Sequence, residues 1–160
     1  FLKAQEAVLS HAEGSGTTLT VLLIRDRQAE IGHVGDSRLY AQSRTGGLRC
    51  LTVDHSLVRR LVDLGQINAS DALDHPQRNI LFRALGQGDG FKVDLESFEL
   101  EEATTFLLCS DGLWGLVDQN NLARLLRPGR QNTDTAARLV SLANEAGGTD
   151  NITAIVISLR

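Results

Sequence analysis

The chain has 160 residues, 42% of them hydrophobic and 22% charged, an ordinary balance for one soluble domain with a real core. Its net charge of -4 and the lack of a basic run argue against binding a nucleic-acid backbone, though not against phosphorylated substrates attracted through a bound cation. No apolar run is long enough to cross a bilayer, so no membrane insertion of this segment is expected.

The first element is a helix over 1–12. Leu2, Ala4, Ala7, Val8 and Leu9 fall broadly on one side, and the segment lacks the long apolar stretch of a signal peptide. Glu13-Gly14-Ser15-Gly16 breaks it. Strands are predicted over 17–25, 28–34, 38–42 and 48–52. They are rich in β-branched residues and separated by short polar or glycine-containing turns, the pattern of an antiparallel meander. Helical spacing returns over 56–64. Residues 65–79 read as a polar loop with a short helix at 70–74. Strands follow at 91–100 and 104–109, then helices at 118–126 and 133–145, and a last strand at 152–159. The class is α+β, dominated by antiparallel strands with helices that must cover sheet faces.

Of the two cysteines, Cys109 follows the apolar run Phe106-Leu107-Leu108 and reads as a small core residue. That favours a reduced, cytoplasmic setting over a disulfide to Cys50. The chain starts at Phe1 and contains no methionine, which is the expectation for a fragment, a processed product or an incomplete chain.

Three aspartates share one local design. Asp36 lies in Gly32-His33-Val34-Gly35-Asp36-Ser37-Arg38. Asp111 lies in Leu107-Leu108-Cys109-Ser110-Asp111-Gly112-Leu113-Trp114. Asp150 lies in Gly147-Gly148-Thr149-Asp150-Asn151-Ile152-Thr153. Each stands where an apolar strand meets a tight turn, beside small residues. A carboxylate there is held rigidly, and glycine lets the backbone approach a ligand. Converging carboxylates repel unless a cation neutralises them, and hard divalent ions such as Mg²⁺ and Mn²⁺ prefer oxygen ligands. Taken singly, Asp-Gly and Gly-Asp pairs are ordinary turn formers.

The ordered set of motifs says more. Gly16-Thr17-Thr18 and the Asp36 segment are followed by Leu51-Thr52-Val53-Asp54-His55-Ser56. His75-Pro76-Gln77-Arg78-Asn79 comes next with Arg83-Ala84-Leu85-Gly86, then the Asp111 and Asp150 segments. In this order, over nearly the whole chain, they resemble the metal-dependent serine/threonine protein phosphatases of type 2C, in particular the bacterial branch.

The resemblance implies a single domain over 1–160 of two packed antiparallel sheets flanked by helices, truncated at its N-terminus. It implies two core Mn²⁺ or Mg²⁺ ions, with Asp111 and Asp150 as ligands, and a possible third, weaker ion held by Asp36 and faced by Asp111. It implies direct hydrolysis of phosphoserine or phosphothreonine on a protein substrate by metal-bound water. Residues 56–79 match the family's mobile flap. The family's bridging aspartate, phosphate-gripping arginine and histidine general acid have no counterpart in these 160 residues; they are expected upstream of Phe1, leaving the piece by itself weakly active or inactive.

The remaining candidates carry modest expectations. His33 reads as a packed or surface strand residue, and His55 and His75 as structural hydrogen-bonders. Arg78 and Arg83 read as orienting loop carboxylates, and Ser110 as a turn residue. Neither cysteine has an arginine six residues on, and neither a phosphate-binding loop nor a His-Glu-x-x-His motif is present, so cysteine phosphatase, NTPase and zinc-protease chemistries are excluded. Two alternatives to an active phosphatase stay open: a non-catalytic phosphatase-like binding module, and a member of the sporulation and stress-response branch.

Overall fold

The structure, a computed structural model, describes residues 1–88, 91–101 and 104–159. Helix α1 spans Leu2–His11, followed by strands β1 (Leu19–Arg25), β2 (Gln28–Val34), β3 (Arg38–Ser43) and β4 (Gly47–Cys50). Helix α2 (Leu57–Asp63) precedes β5 (Asp94–Glu99) and β6 (Thr105–Cys109). Three helices follow, α3 (Asp111–Trp114), α4 (Gln119–Leu125) and α5 (Asn132–Glu145), and β7 (Ala154–Ser158) ends the series. Two antiparallel sheets with helices make an α+β fold. One sheet has the order β1-β2-β5, the other β4-β3-β6-β7.

The chain divides into two compact units, Phe1–Asp36 with Val53–Phe98 and Ser37–Thr52 with Glu99–Arg160. This corrects the expected meander over 17–52. β1 and β2 form one hairpin, with Leu19 opposite Val34 and Arg25 opposite Gln28. β3 and β4 form another in the other sheet, with Tyr40 opposite Cys50. The chain changes sheet between β2 and β3, across Gly35-Asp36-Ser37, where the strand pattern had suggested one more hairpin.

In the first unit Ala29, Ile31, Val34, Val58, Ala84 and Leu85 are buried. Helix α1 turns Gln5 inward and leaves Leu2 and Leu9 exposed, against the apolar face read from the sequence. The reason is hydrogen bonding: Gln5 Oε1 accepts from Gly86 N at 2.8 Å and its Nε2 donates to Gln87 O at 2.5 Å. The amide so satisfies a turn's backbone, which an aliphatic side chain could not do. Helix α2 starts where Ser56 accepts from Arg59 N at 3.3 Å. Residues 70–74 form turns rather than the expected short helix. Their short, polar Asn68-Ala69-Ser70-Asp71 stretch satisfies itself locally, with Asp71 N bonded to Asn68 O and both side chains hydrogen-bonded to each other.

In the second unit Tyr40, Leu107, Cys109, Leu113, Val117, Leu122, Leu125, Leu126, Leu139 and Ala143 form one core. Cys109 is buried there, as the apolar run before it led one to expect. Asp118 caps α4 by accepting from Asn121 N at 2.9 Å. Helix α5 buries Thr135, Leu139 and Ala143, a spacing of four that keeps them on one face. No helix among the described residues is long and apolar enough to cross a membrane.

Candidate metal centre

Asp111 and Asp150 are brought to one place in the second unit. β6 pairs with β7 so that Cys109 stands opposite Ala154, which sets the turn after β6 beside the loop before β7. Ser110 ties the two together: its hydroxyl donates to Asn151 O at 2.9 Å and accepts from Thr153 N at 3.0 Å, and its own N–H donates to Thr153 O at 3.2 Å. Gly112 lies so near this loop that a Cβ on it would fall 3.2 Å from Asp150 Cβ.

Each carboxylate is anchored by one oxygen. Asp111 Oδ1 accepts from Gly112 N at 2.9 Å, and Asp150 Oδ1 accepts from Asn151 N at 2.7 Å. The backbone thereby sets the rotation of each group and leaves its other oxygen for a ligand. Two parts of this arrangement carry no sign in the local sequence. Ser110, expected as a turn residue, is a staple between two segments more than forty residues apart in sequence. The one-turn helix α3 stands where Asp-Gly ordinarily makes a turn.

Asp36 belongs to the first unit. It follows Gly35 at the end of β2, and Gly35 has the positive φ of +113° that glycine tolerates. Behind this turn lies a polar cluster. Gly35 N donates to His55 Nδ1 at 3.0 Å, and His55 Nε2 lies 2.9 Å from Asp94 Oδ2. Arg83 Nη1 donates to Asp94 Oδ1 at 2.7 Å. For the Asp94 carboxyl, burial works upward, but the hydrogen bond from His55, with the hydrogen bond and charge of Arg83, outweighs it and holds the group below its ordinary value. His55 and His75 are both hydrogen-bonded; His75 Nδ1 accepts from Gln77 N at 3.1 Å in the turn that contains Pro76. Arg83 does orient a carboxylate, though one on a strand.

His33 is buried in β2. Its Nε2 lies 3.2 Å from Val53 O and its Nδ1 2.9 Å from Thr20 Oγ1. A carbonyl only accepts, so Nε2 carries the proton. Burial, and next the nearby His55 ring, lower its pKa from 6.5, against smaller raising effects of the Val53 carbonyl, Asp54 and Asp94. A histidine with a depressed folded pKa stays neutral while the unfolded chain takes up a proton. Its contribution to stability is therefore complete above 6.5 and lost as pH falls below it. Thermal melts from pH 7.5 to 5 should fall more steeply for the parent than for His33→Gln, with a difference of at most about 1.4 kcal/mol per pH unit for one proton. Parallel curves would refute the assignment.

In kind, two rigid carboxylates suit a hard divalent cation such as Mg²⁺ or Mn²⁺. In number, no group of three or more His, Cys, Asp or Glu side chains able to hold a metal occurs among the described residues.

Residues 2–145 match the protein-family profile described as Protein phosphatase 2C. The serine/threonine phosphatase stp of Listeria welshimeri is 41% identical over 145 residues, which cover 90% of this chain and 57% of that protein. The chain thus spans somewhat more than half the length of such relatives. The crystal structure of the Mycobacterium tuberculosis serine/threonine phosphatase PstP/Ppp is similar at a TM-score of 0.88 and 36% identity, over 99% of this chain and 67% of that one. A structure of the catalytic domain of PstP in complex with two manganese ions is similar at a TM-score of 0.81 and 34% identity, covering 99% of this chain and 66% of that one. With the motif order, the two antiparallel sheets and a family match over most of its length, the chain belongs to the protein phosphatase 2C family.

Proposed function

We propose that this chain is part of the catalytic domain of a cytoplasmic, metal-dependent protein phosphatase. It would hydrolyse phosphoserine and phosphothreonine on a protein substrate by direct attack of water. The observation that carries the reading is the stapling of the Asp111 and Asp150 loops through Ser110.

Asp111 and Asp150 would hold the core Mn²⁺ or Mg²⁺ ions, and Asp36 an additional one. Such ions, when bound, supply a water acidic enough to be hydroxide at neutral pH and charge to offset that of the phosphoryl oxygens. The residues of this chain do the rest. The backbone amides of Gly112 and Asn151 fix one oxygen of each carboxylate, so the other faces outward without conformational search. Ser110 is not a nucleophile in this reading, because its hydroxyl hydrogen is given to Asn151 O and its lone pair to Thr153 N–H.

Ligand number decides how much these 160 residues do by themselves. Two core ions would need more carboxylate ligands than Asp111 and Asp150 supply, and among the described residues no third His, Cys, Asp or Glu joins them. We place the further carboxylate outside the present chain, as the family's motif order implies. Asp111 and Asp150 alone would hold a Mg²⁺ ion only weakly, with water filling most of its coordination. That favours, for the isolated piece, a second reading as a phosphatase-like binding module.

Calorimetric Mn²⁺ titration beside a phosphopeptide assay separates the two readings. It should be run on this chain and on a chain extended upstream of Phe1 by the family's N-terminal segment. The 160 residues should bind Mn²⁺ with a Kd on the order of 1 mM or weaker and turn over poorly. The extended chain should be active, and in it Asp36→Asn should weaken only the additional ion and lower the rate less than a core substitution does. Full activity from the 160 residues overturns the ligand count.

A further inference from the structure

The Gly35-Asp36 turn is held by groups to which the proposed chemistry gives no task. Residue 55 grips both backbone polar groups of Gly35: the His55 N–H donates to Gly35 O at 2.8 Å, and Gly35 N–H donates to His55 Nδ1 at 3.0 Å. A backbone N–H can only donate, so Nδ1 carries the lone pair and the ring proton sits on Nε2. That proton points to Asp94 Oδ2 at 2.9 Å. Arg83 Nη1 stands 3.0 Å from the same Nε2. Two N–H groups facing each other repel, and the arrangement holds because the Asp94 carboxylate takes one bond from each, Arg83 at 2.7 Å and His55 at 2.9 Å.

The tautomer is thus dictated from behind. Arg83 fixes Asp94, Asp94 fixes the Nε2 proton, and the opposite nitrogen is left as the acceptor Gly35 needs. The His55 side chain is 3% exposed, so water does not replace these bonds. The His33 ring, 4.9 Å away between centroids, and Phe82, at 5.8 Å, limit its rotation. On its other side Gly35 has no room to shift, since a Cβ there would meet the Thr18 side chain.

We propose that His55, backed by Asp94 and Arg83, is a positioning residue that fixes the Gly35 backbone and so aims the Asp36 carboxylate. The functional half rests on the reading of Asp36 as a ligand. A histidine that merely fills space would leave Gly35 indifferent to its tautomer; here the bond requires one nitrogen and not the other. Glutamine reproduces both ends, a carbonyl oxygen for Gly35 N–H and an N–H for Asp94, whereas alanine reproduces neither.

Amide hydrogen exchange and histidine ring ¹⁵N spectra of the present chain test this directly. His55 should be the Nε2–H form, with a slowly exchanging Gly35 amide. His55→Ala should speed Gly35 exchange about 10-fold or more while Leu23 and Glu30, opposite each other in the β1–β2 hairpin, stay protected, and His55→Gln should restore most of it. If His55→Ala unfolds the unit, Asp94→Asn is the second variant, which leaves the ring in place; it should mix the His55 tautomers and speed Gly35 exchange severalfold. In the extended chain His55→Ala should weaken the additional Mn²⁺ about 10- to 100-fold and spare the core ions, with rescue by His55→Gln. An Nδ1–H ring, or Gly35 exchange unchanged in both His55→Ala and Asp94→Asn, overturns the proposal. An Asp36→Asn chain that binds Mn²⁺ like its parent would instead sink the ligand reading of Asp36 and leave Gly35 exchange to judge the clamp.

Discussion

In the upstream-extended chain, Asp111→Asn or Asp150→Asn is expected to lower kcat/KM on a phosphopeptide by at least about 1,000-fold, or ~4 kcal/mol of transition-state stabilisation. Asparagine keeps the shape of aspartate and an oxygen able to accept from Gly112 N or Asn151 N, so the loops should stay as they are. What it removes is one full negative charge. A Mg²⁺ or Mn²⁺ ion gives up tightly held water only for strong oxygen donors, and a neutral carboxamide is a poor exchange for a carboxylate. The loss should appear in Mn²⁺ titration as well as in rate, with a melting temperature close to the parent's. A rate that collapses while metal affinity is unchanged would give the aspartates a role other than ligation. Activity that survives both substitutions would remove them from the chemistry altogether.

Much of this site could be read from the amino acids because it is local. The apolar run Phe106-Leu107-Leu108-Cys109 ends at Ser110-Asp111-Gly112, and the glycine pair Gly147-Gly148, both at positive φ, ends α5 before Asp150. Strand ends and helix ends are written in a few neighbouring residues, so Asp111 could be placed just past a strand end and Asp150 on a loop beforehand. Helical spacing likewise placed elements starting at 56 and 118, where Ser56 and Asp118 prove to cap α2 and α4.

What escaped is what depends on residues far apart. Strand periodicity states which residues alternate, not which strand is the neighbour, so Gly35-Asp36-Ser37 looked like one more hairpin turn and is a change of sheet. Nothing in the sequence around Gln5 marks it for burial. Its partners at Gly86 and Gln87 lie more than eighty residues away, and only they make burial of an amide favourable. The staple made by Ser110 escaped for the same reason, and so did the partners of His55, although its hydrogen bonding was expected, since a hydroxyl or imidazole carries no local sign of the backbone group it will bind.

Gly112→Ala should have the second large effect, and it tests the joining of the two loops without touching a charge. Gly112 is buried in α3. A Cβ on it would lie 2.5 Å from Asn151 O, 3.1 Å from Asn151 C and 3.2 Å from Asp150 Cβ. The first two atoms are backbone, so no side-chain rotation relieves the contact, and one loop must move away from the other by several tenths of an ångström or more. The bonds of Ser110 to Asn151 O and from Thr153 N, at 2.9 and 3.0 Å, span the same gap and would lengthen with it. Overpacking of this kind costs about 1–3 kcal/mol, or roughly 2–10 °C in Tm for a chain of this size. Activity in the extended chain should fall further than stability does, by about 100-fold, because a displacement approaching 1 Å spoils the placement of a reacting group. Gly88→Ala is the matched control. Nothing lies within 4 Å of a Cβ there, and stability should stay within about 0.5 kcal/mol of the parent. Ser110→Ala should fall between the two, removing the staple without forcing the loops apart. Should Gly112→Ala match Gly88→Ala in Tm, Mn²⁺ affinity and rate, then the Asp111 and Asp150 loops separate freely, and their close approach has no part in holding a metal.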